Sequence, residues 1–199
     1  MSNTVCFDFD GVLCHTGHAI VKKAIEWGYL DPSFSLCEIT EYEMSKIDPA
    51  NLTEERVREI LRDGDCYRHA EPCEYLIGVV RNLRTAGFQV PIVSARYNTI
   101  LNMRIATDWV AQYQVPVTDV VLGVRSSQKQ LWAREQKVLA FIEDRPDIAN
   151  NMAGICLPFL VGTEYNRTDN GLPLDPRVMR REREEYNTEF SRSFINLLG

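Results

Sequence analysis

Apolar residues fall along this chain in two textures, short unbroken runs and helical stripes. Thr4–Phe9 is a short apolar run that stops at Asp10-Gly11, the pattern of a buried strand. Ile20, Val21, Ala24, Ile25 and Gly28 then share one helical face. Leu76, Val79, Val80 and Leu83 keep the i, i+3, i+4, i+7 spacing, with Pro72 near the helix start and Gly87 just past its end. Gln89–Ser94 is a second apolar run. The spacing predicts a helix over 97–114, striped by Ile100, Met103, Ala106, Val110 and Tyr113. Asp119–Gly123 predicts a third strand, about Ser127 to Gln136 a short helix, Val138–Ile142 a fourth strand, Pro146–Ala153 a helix and Leu157–Val161 a fifth strand. Non-alternating runs separated by helices predict a parallel sheet covered on both faces. Pro91 cannot donate to a central ladder, so it must stand among the first residues of its strand.

The stretch between the first strand and the helix near Pro72 is too long for one crossover. Within it Thr53 can cap a helix, with Leu52 stapled onto Val57, running to about Arg62 before Asp63-Gly64-Asp65. Residues 14–71 are therefore expected to form a small, mainly helical cap inserted after the first strand, with 1–13 and 72–199 as the α/β core. An insertion at that place would act as a lid. Beyond Gly162 the chain reads as loop, then as a charged segment in which Phe190, Phe194 and Leu197 form the stripe of a docked terminal helix.

Composition narrows the setting. The chain has 199 residues, 45% hydrophobic and 25% charged, an ordinary globular balance. No apolar run approaches the roughly 18 residues of a membrane span. The N-terminus lacks the basic and apolar regions of a signal peptide, so a cytoplasmic protein is expected. Cys6, Cys14, Cys37, Cys66, Cys73 and Cys156 form no C-x-x-C pair and no zinc-spaced cluster. A net charge of −6 weighs against a broad nucleic-acid surface.

Charge sits where the apolar runs end. FDFDGVLCH, residues 7–15, places Asp8 and Asp10 before Gly11; the second run ends in Ser94-Ala95-Arg96; the fourth ends in Glu143-Asp144. In a parallel sheet these ends share one edge, where ligands bind. Two acidic clusters facing one another call for a hard cation, and oxygen ligands of this kind suit Mg²⁺ with room for a phosphate oxygen. Gly11 would let backbone N–H groups approach an anion, and Ser94 can donate to it. Lys129 and Lys137 are both candidates for a balancing cation.

DFDGV, VSAR, a helix-borne lysine and FIEDRPDIA, in this order over about 4–161, resemble the haloacid dehalogenase superfamily of Mg²⁺-dependent phosphotransferases. The resemblance implies a Rossmann-like core with helices on both faces. It implies Asp8 as the nucleophile that forms an aspartyl-phosphate, and Asp10 as general acid and then base. Asp8, the Asp10 carbonyl and Asp144 would hold Mg²⁺; Ser94, Ala95, Gly11 and Lys129 would hold the phosphoryl group. Lys129 is favoured over Lys137 because it lies 14 residues before Glu143, leaving room for a helix and a strand. Glu143, Arg96 and Arg145 are expected to pair with the acidic site or to touch substrate. The second aspartate of D-x-D favours phosphate esters over dehalogenation. His15 and His18, just past the first motif, could approach the leaving group but are read first as surface or hinge histidines, and His69 is read as a surface one.

The acidic pair followed by Arg-Pro, the late Tyr165-Asn166-Arg167 and Ile39-Thr40-Glu41-Tyr42 are similar to the 5′(3′)-deoxyribonucleotidase family. That similarity implies a nucleoside monophosphate as the phosphorylated partner, with Phe34, Tyr42 and Tyr67 as aromatic residues able to stack on a base or to pack the cap. Membranes and polymeric nucleic acid are not expected partners, and a second copy of the chain is left open. Two other readings stand beside this one: a 3′-phosphatase of nucleic-acid end repair, which would want a basic groove, and a non-catalytic binding module, which would not need both Asp8 and Asp10.

Overall fold

The computed structural model describes residues 3–36, 39, 41–166 and 173–198. Cys37, Thr40 and Arg167, singled out above, lie outside the described residues. A parallel sheet of six strands runs in the order β3-β2-β1-β4-β5-β6. Its strands are β1 (Val5–Phe7), β2 (Pro91–Ser94), β3 (Asp119–Leu122), β4 (Ala140–Glu143), β5 (Leu157–Val161) and β6 (Met179–Arg181). The helices are α1 (Thr16–Glu26), α2 (Glu54–Asp63), α3 (Asp65–Arg68), α4 (Glu74–Thr85), α5 (Ile100–Gln112), α6 (Ser126–Glu135), α7 (Pro146–Met152) and α8 (Thr188–Leu198).

β1 lies between β2 and β4, with Val5 opposite Ala140, Cys6 opposite Phe141, and Phe7 opposite both Ile142 and Ile92. Its side chains go alternately to two apolar layers. Val5 and Phe7 join Ile92, Ile142 and Phe159 beneath residues of α4, α5 and α8. Cys6 joins Val93, Phe141, Ala133, Ile148 and Met152 on the side of α6 and α7. Burial on both faces is why the central runs do not alternate in polarity.

The boundaries shift in physically explicable ways. β1 stops at Phe7, but the Asp8 N–H still donates to the Ile142 carbonyl at 2.9 Å, so the ladder carries Asp8 in place. β4 starts at Ala140 and not Val138, because Lys137 takes a positive φ of 54° and Val138 N–H turns back to Ala133. Pro91 is the first residue of β2. β6 was not expected: Met179-Arg180-Arg181 carries no apolar signature, yet it pairs parallel with β5, Phe159 opposite Met179.

Two expected stripe residues are corrected. Ile100 is 92% exposed, because α5 begins there, capped by Thr99, and buries Ile105, Ala106 and Trp109 instead. Leu197 is also exposed; α8 docks through Phe190 and Phe194 onto Phe159. Between β1 and α4, Thr53 caps α2 by accepting from Arg56 N–H, and Leu52 is fully buried. Val21, Ala24, Leu30, Ile60 and Cys66 continue the apolar layer of the sheet. Trp109 Nε1 donates to the Ala70 carbonyl at 2.8 Å, tying α5 to the end of this insertion. No described helix is long and apolar enough to cross a membrane.

Candidate active site

The three polar strand ends meet at the carboxyl edge of the sheet. Asp8 follows β1, Ser94 closes β2, and Glu143-Asp144 close β4; all are buried. Gly11 turns the chain with φ +78°, and a Cβ there would stand 1.9 Å from Asp144 Oδ2 and 2.5 Å from the Tyr165 hydroxyl. Only glycine gives Asp144 that space. The Gly11 N–H itself donates to the Cys14 carbonyl at 2.9 Å. Gly11 contributes room, not a donor.

One cation serves the acids of β1 and β4. Lys129 Nζ, reaching from α6, lies 2.8 Å from Asp8 Oδ1 and 2.7 Å from Glu143 Oε2. Lys137 is exposed. Carboxylate oxygens of Asp8, Glu143 and Asp144 lie within 4.8 Å of one another. Among the described residues neither Asp144 oxygen has a hydrogen-bond partner, although both are buried. Burial and the Glu143 charge raise the Asp8 pKa to about 7, against the pull of Lys129. Burial and Glu143 push Asp144 well up too. Burial opposes ionisation of Glu143, but Lys129 overrides it and holds that pKa down. Asp8 and Asp144, crowded beside the ionised Glu143 with one ammonium between them, therefore hold onto protons, and a divalent cation could take the place of those protons. The residues fit Mg²⁺, with Asp8 and Asp144 as the side chains able to hold it.

Asp10 is in a different electrostatic setting. Arg96 Nε donates to Oδ2 at 2.9 Å and Nη2 to Oδ1 at 2.6 Å, a bidentate pair. Thr16 Oγ1 donates to Oδ1 at 2.5 Å, and Ser94 Oγ reaches Oδ2 at 3.4 Å. Burial works to raise the Asp10 pKa, but Arg96 and Thr16 hold it below the ordinary value. The guanidinium lies between the rings of Phe9 at 4.1 Å and Tyr67 at 4.0 Å. Of the two roles left open for Arg96, this geometry shows the pairing. Arg145 pairs with Asp147 at 2.7 Å and lies 4.5 Å from the centre of the Tyr42 ring.

Of these groups Asp10, Gly11, Thr16, Arg96 and Asp144 line a cavity of about 570 Å³, together with Ala95, Tyr42, Tyr67, His15, His18, Glu164 and Arg183. Phe34 packs with the apolar layer of the insertion instead. His15 and His18 are not surface histidines. They are partly buried and stacked, with ring centres 5.0 Å apart. His69 is exposed.

Four further contributors escaped the sequence reading. Thr16 bonds Asp10. Asn166 Nδ2 donates to the Asp144 carbonyl at 2.6 Å and holds that strand end. Arg183 Nη2 donates to the Gly11 carbonyl at 2.8 Å across 172 positions, and Glu164 lies beside it. Asn166 stood inside a noted motif; Arg183 stood in a charge run with nothing local to mark it.

No protein-family model matches the chain, and no curated protein matches it. Solved structures do. A predicted phosphatase from Clostridium acetobutylicum is similar at 12% identity and TM-score 0.65, covering 98% of this chain and 99% of that one. A HAD family hydrolase from Deinococcus radiodurans R1, with bound phosphate and sodium, is similar at 15% identity and TM-score 0.62, covering 98% and 97%. Protein tyrosine kinase A of Mycobacterium tuberculosis is similar at 17% identity and TM-score 0.65, covering 98% of each chain. At such identities the likeness is one of fold, and it spans proteins named for different chemistries. The fold of this chain is the haloacid dehalogenase-like one, a Rossmann-like parallel sheet with helices on both faces.

Proposed function

We propose that this protein is a Mg²⁺-dependent phosphomonoesterase acting on a small phosphorylated molecule, a nucleoside monophosphate in the first place. The observation that carries the reading is the buried group of Asp8, Asp144 and Lys129, with both Asp144 oxygens unpartnered at the open end of the sheet. When bound, Mg²⁺ supplies charge neutralisation for the phosphoryl oxygens. Asp8 attacks phosphorus, the bond to the leaving oxygen breaks, and an aspartyl-phosphate forms. Water then attacks that phosphorus, the bond to Asp8 breaks, and inorganic phosphate leaves. Lys129 and Ser94 hold phosphoryl oxygens during both steps. Asp10, kept ionised by Arg96, is set up to take the proton of the attacking water. The resemblance also assigns it the proton for the leaving oxygen, a role that the Arg96 pair opposes in this arrangement, so that oxygen takes its proton from solvent water and Asp10 returns to solvent the proton it takes from the attacking water.

The nucleotide reading rests on the motif similarity, a cavity of about 570 Å³ and the rings of Tyr42 and Tyr67 in its wall. A screen over nucleoside monophosphates, sugar phosphates and 3′-phosphorylated oligonucleotides, with Mg²⁺ and with chelator, tests it. Mononucleotide hydrolysis that chelation abolishes is expected. Preference for the oligonucleotide would overturn the substrate, and indifference to chelation would remove the metal.

A further inference from the structure

One wall of the cavity is polar, and its carboxylate faces a guanidinium and an imidazole. His15 and His18 stack with ring planes 21° apart, and His18 Nε2 stands 3.6 Å from Glu164 Oε1. Arg183 Nη1 lies 3.7 Å from the same oxygen. The wall adjoins the reacting end, because Thr16, next to His15, bonds Asp10, and Arg183 bonds the Gly11 carbonyl. Among the described residues, His15 Nδ1, His18 Nε2 and Arg183 Nε are buried without a hydrogen-bond partner. Buried polar atoms left this way are uncommon in native interiors, and each calls for a physical explanation.

The chemistry of the missing group follows from the charges. Burial and Arg183 lower the His15 pKa to about 4, so its ring is neutral at pH 7. The His18 contact and Arg183 hold Glu164 at about 2, so it is ionised. Glu164 stands against both Arg183 and His18, so the guanidinium already faces a carboxylate and is not a lone charge awaiting a second phosphate. What remains is a carboxylate acceptor, imidazole nitrogens and a guanidinium N–H at close quarters. Hydroxyl groups, which donate and accept, match this set.

We propose that His15, His18 and Glu164, steadied by Arg183, form a subsite for vicinal hydroxyls on the leaving group of the substrate. In a ribonucleotide these are the 2′- and 3′-hydroxyls, a pair that a deoxyribonucleotide lacks; in a free sugar phosphate they are ring hydroxyls. The inference rests on the phosphomonoesterase reading for the meaning of leaving group, and a binding measurement separates the two. Calorimetry of Asp8→Asn protein with Mg²⁺ compares uridine 5′-monophosphate, its 2′,3′-dideoxy counterpart and ribose 5-phosphate without requiring turnover. The ribonucleotide is expected to bind about tenfold tighter than the dideoxy compound, the worth of one or two hydrogen bonds. That ratio should fall toward one in His18→Phe, which keeps the ring stack, and in Glu164→Gln. Equal affinity for the two nucleotides, or a ratio that survives both substitutions, overturns the subsite. Ribose 5-phosphate bound as tightly as the ribonucleotide supports the subsite with a sugar phosphate as its source, and weaker binding supports it with a nucleotide. Absence of p-nitrophenyl phosphate hydrolysis by the unsubstituted protein overturns the phosphatase reading alone.

Discussion

The two aspartates of FDFDG sit two residues apart and live in opposite electrostatic worlds. Asp8 shares one ammonium with Glu143 and Asp144, leaving negative charge in excess. Asp10 has a guanidinium of its own, in bidentate contact. Burial is nearly the same problem for both, so the neighbours decide the outcome. Burial and Glu143 take Asp8 up to about 7, while Arg96 holds Asp10 down despite burial. A cluster short of positive charge is where a cation belongs, and a balanced pair is where a carboxylate stays ionised.

The sharpest way to break that contrast is at Asp8. Asp8→Asn removes the nucleophile and should lower kcat by at least about 10⁴-fold, since members of a catalytic unit are not replaceable singly. Steady-state rates with excess Mg²⁺ check this, and a loss of only a few fold would return Asp8 to a supporting role. Next in size is Arg96→Met. It strands a partly buried carboxylate, which should cost about 3 kcal/mol of stability, and it should slow turnover by about 10²-fold as Asp10 loses its orientation. Urea melts and kcat read the two effects separately; Arg96→Lys should recover part of the stability and less of the rate, since a lysine cannot make the bidentate pair.

The charge excess around Asp8 predicts a smaller, equilibrium effect. Mg²⁺ at about 100 times its dissociation constant should stabilise the protein by about 2.7 kcal/mol, seen as a rise in melting temperature. Asp144→Asn should abolish most of that rise, whereas Asp10→Asn should leave much of it, because its carboxylate belongs to Arg96. Equal losses in the two variants would erase the distinction drawn between the aspartates.

The smallest effect concerns the cavity wall. His15 has its pKa lowered to about 4, below the ordinary 6.5 of an unfolded chain. Between those values the unfolded state binds more protons, so stability falls as pH drops from about 6.5 to about 4 and changes little on this account outside that window. Melting temperatures across it should slope less steeply in His15→Phe than in the unsubstituted protein. Parallel slopes would mean that the ring titrates alike in both states.

Much of this arrangement is legible in the chain because the signals are local. Asp8, Ser94 and Glu143-Asp144 each close an apolar run, and a parallel sheet brings such ends to one edge. Lys129 could be preferred over Lys137 because a helix and a strand fit between it and Glu143. Other features have no local signal. β6 is three residues of which two are arginines. Arg96 read equally well as a substrate contact or an internal partner. Nothing local marked the bond from the Gly11 N–H to the Cys14 carbonyl. His15 and His18, a turn apart at the start of α1, read as surface residues until Glu164 and Arg183 closed over them.

By itself, then, the sequence determined the parallel α/β layering and the residue types gathered at its open edge, because apolar runs and strand-end polarity are written in neighbouring positions. Tertiary structure alone decided which charges meet: Arg96 on Asp10, Lys129 between Asp8 and Glu143, Arg183 on the Gly11 turn. Coulomb energies and hydrogen bonds depend on distances of a few ångströms between groups up to 172 positions apart, and no run of neighbouring residues records those distances.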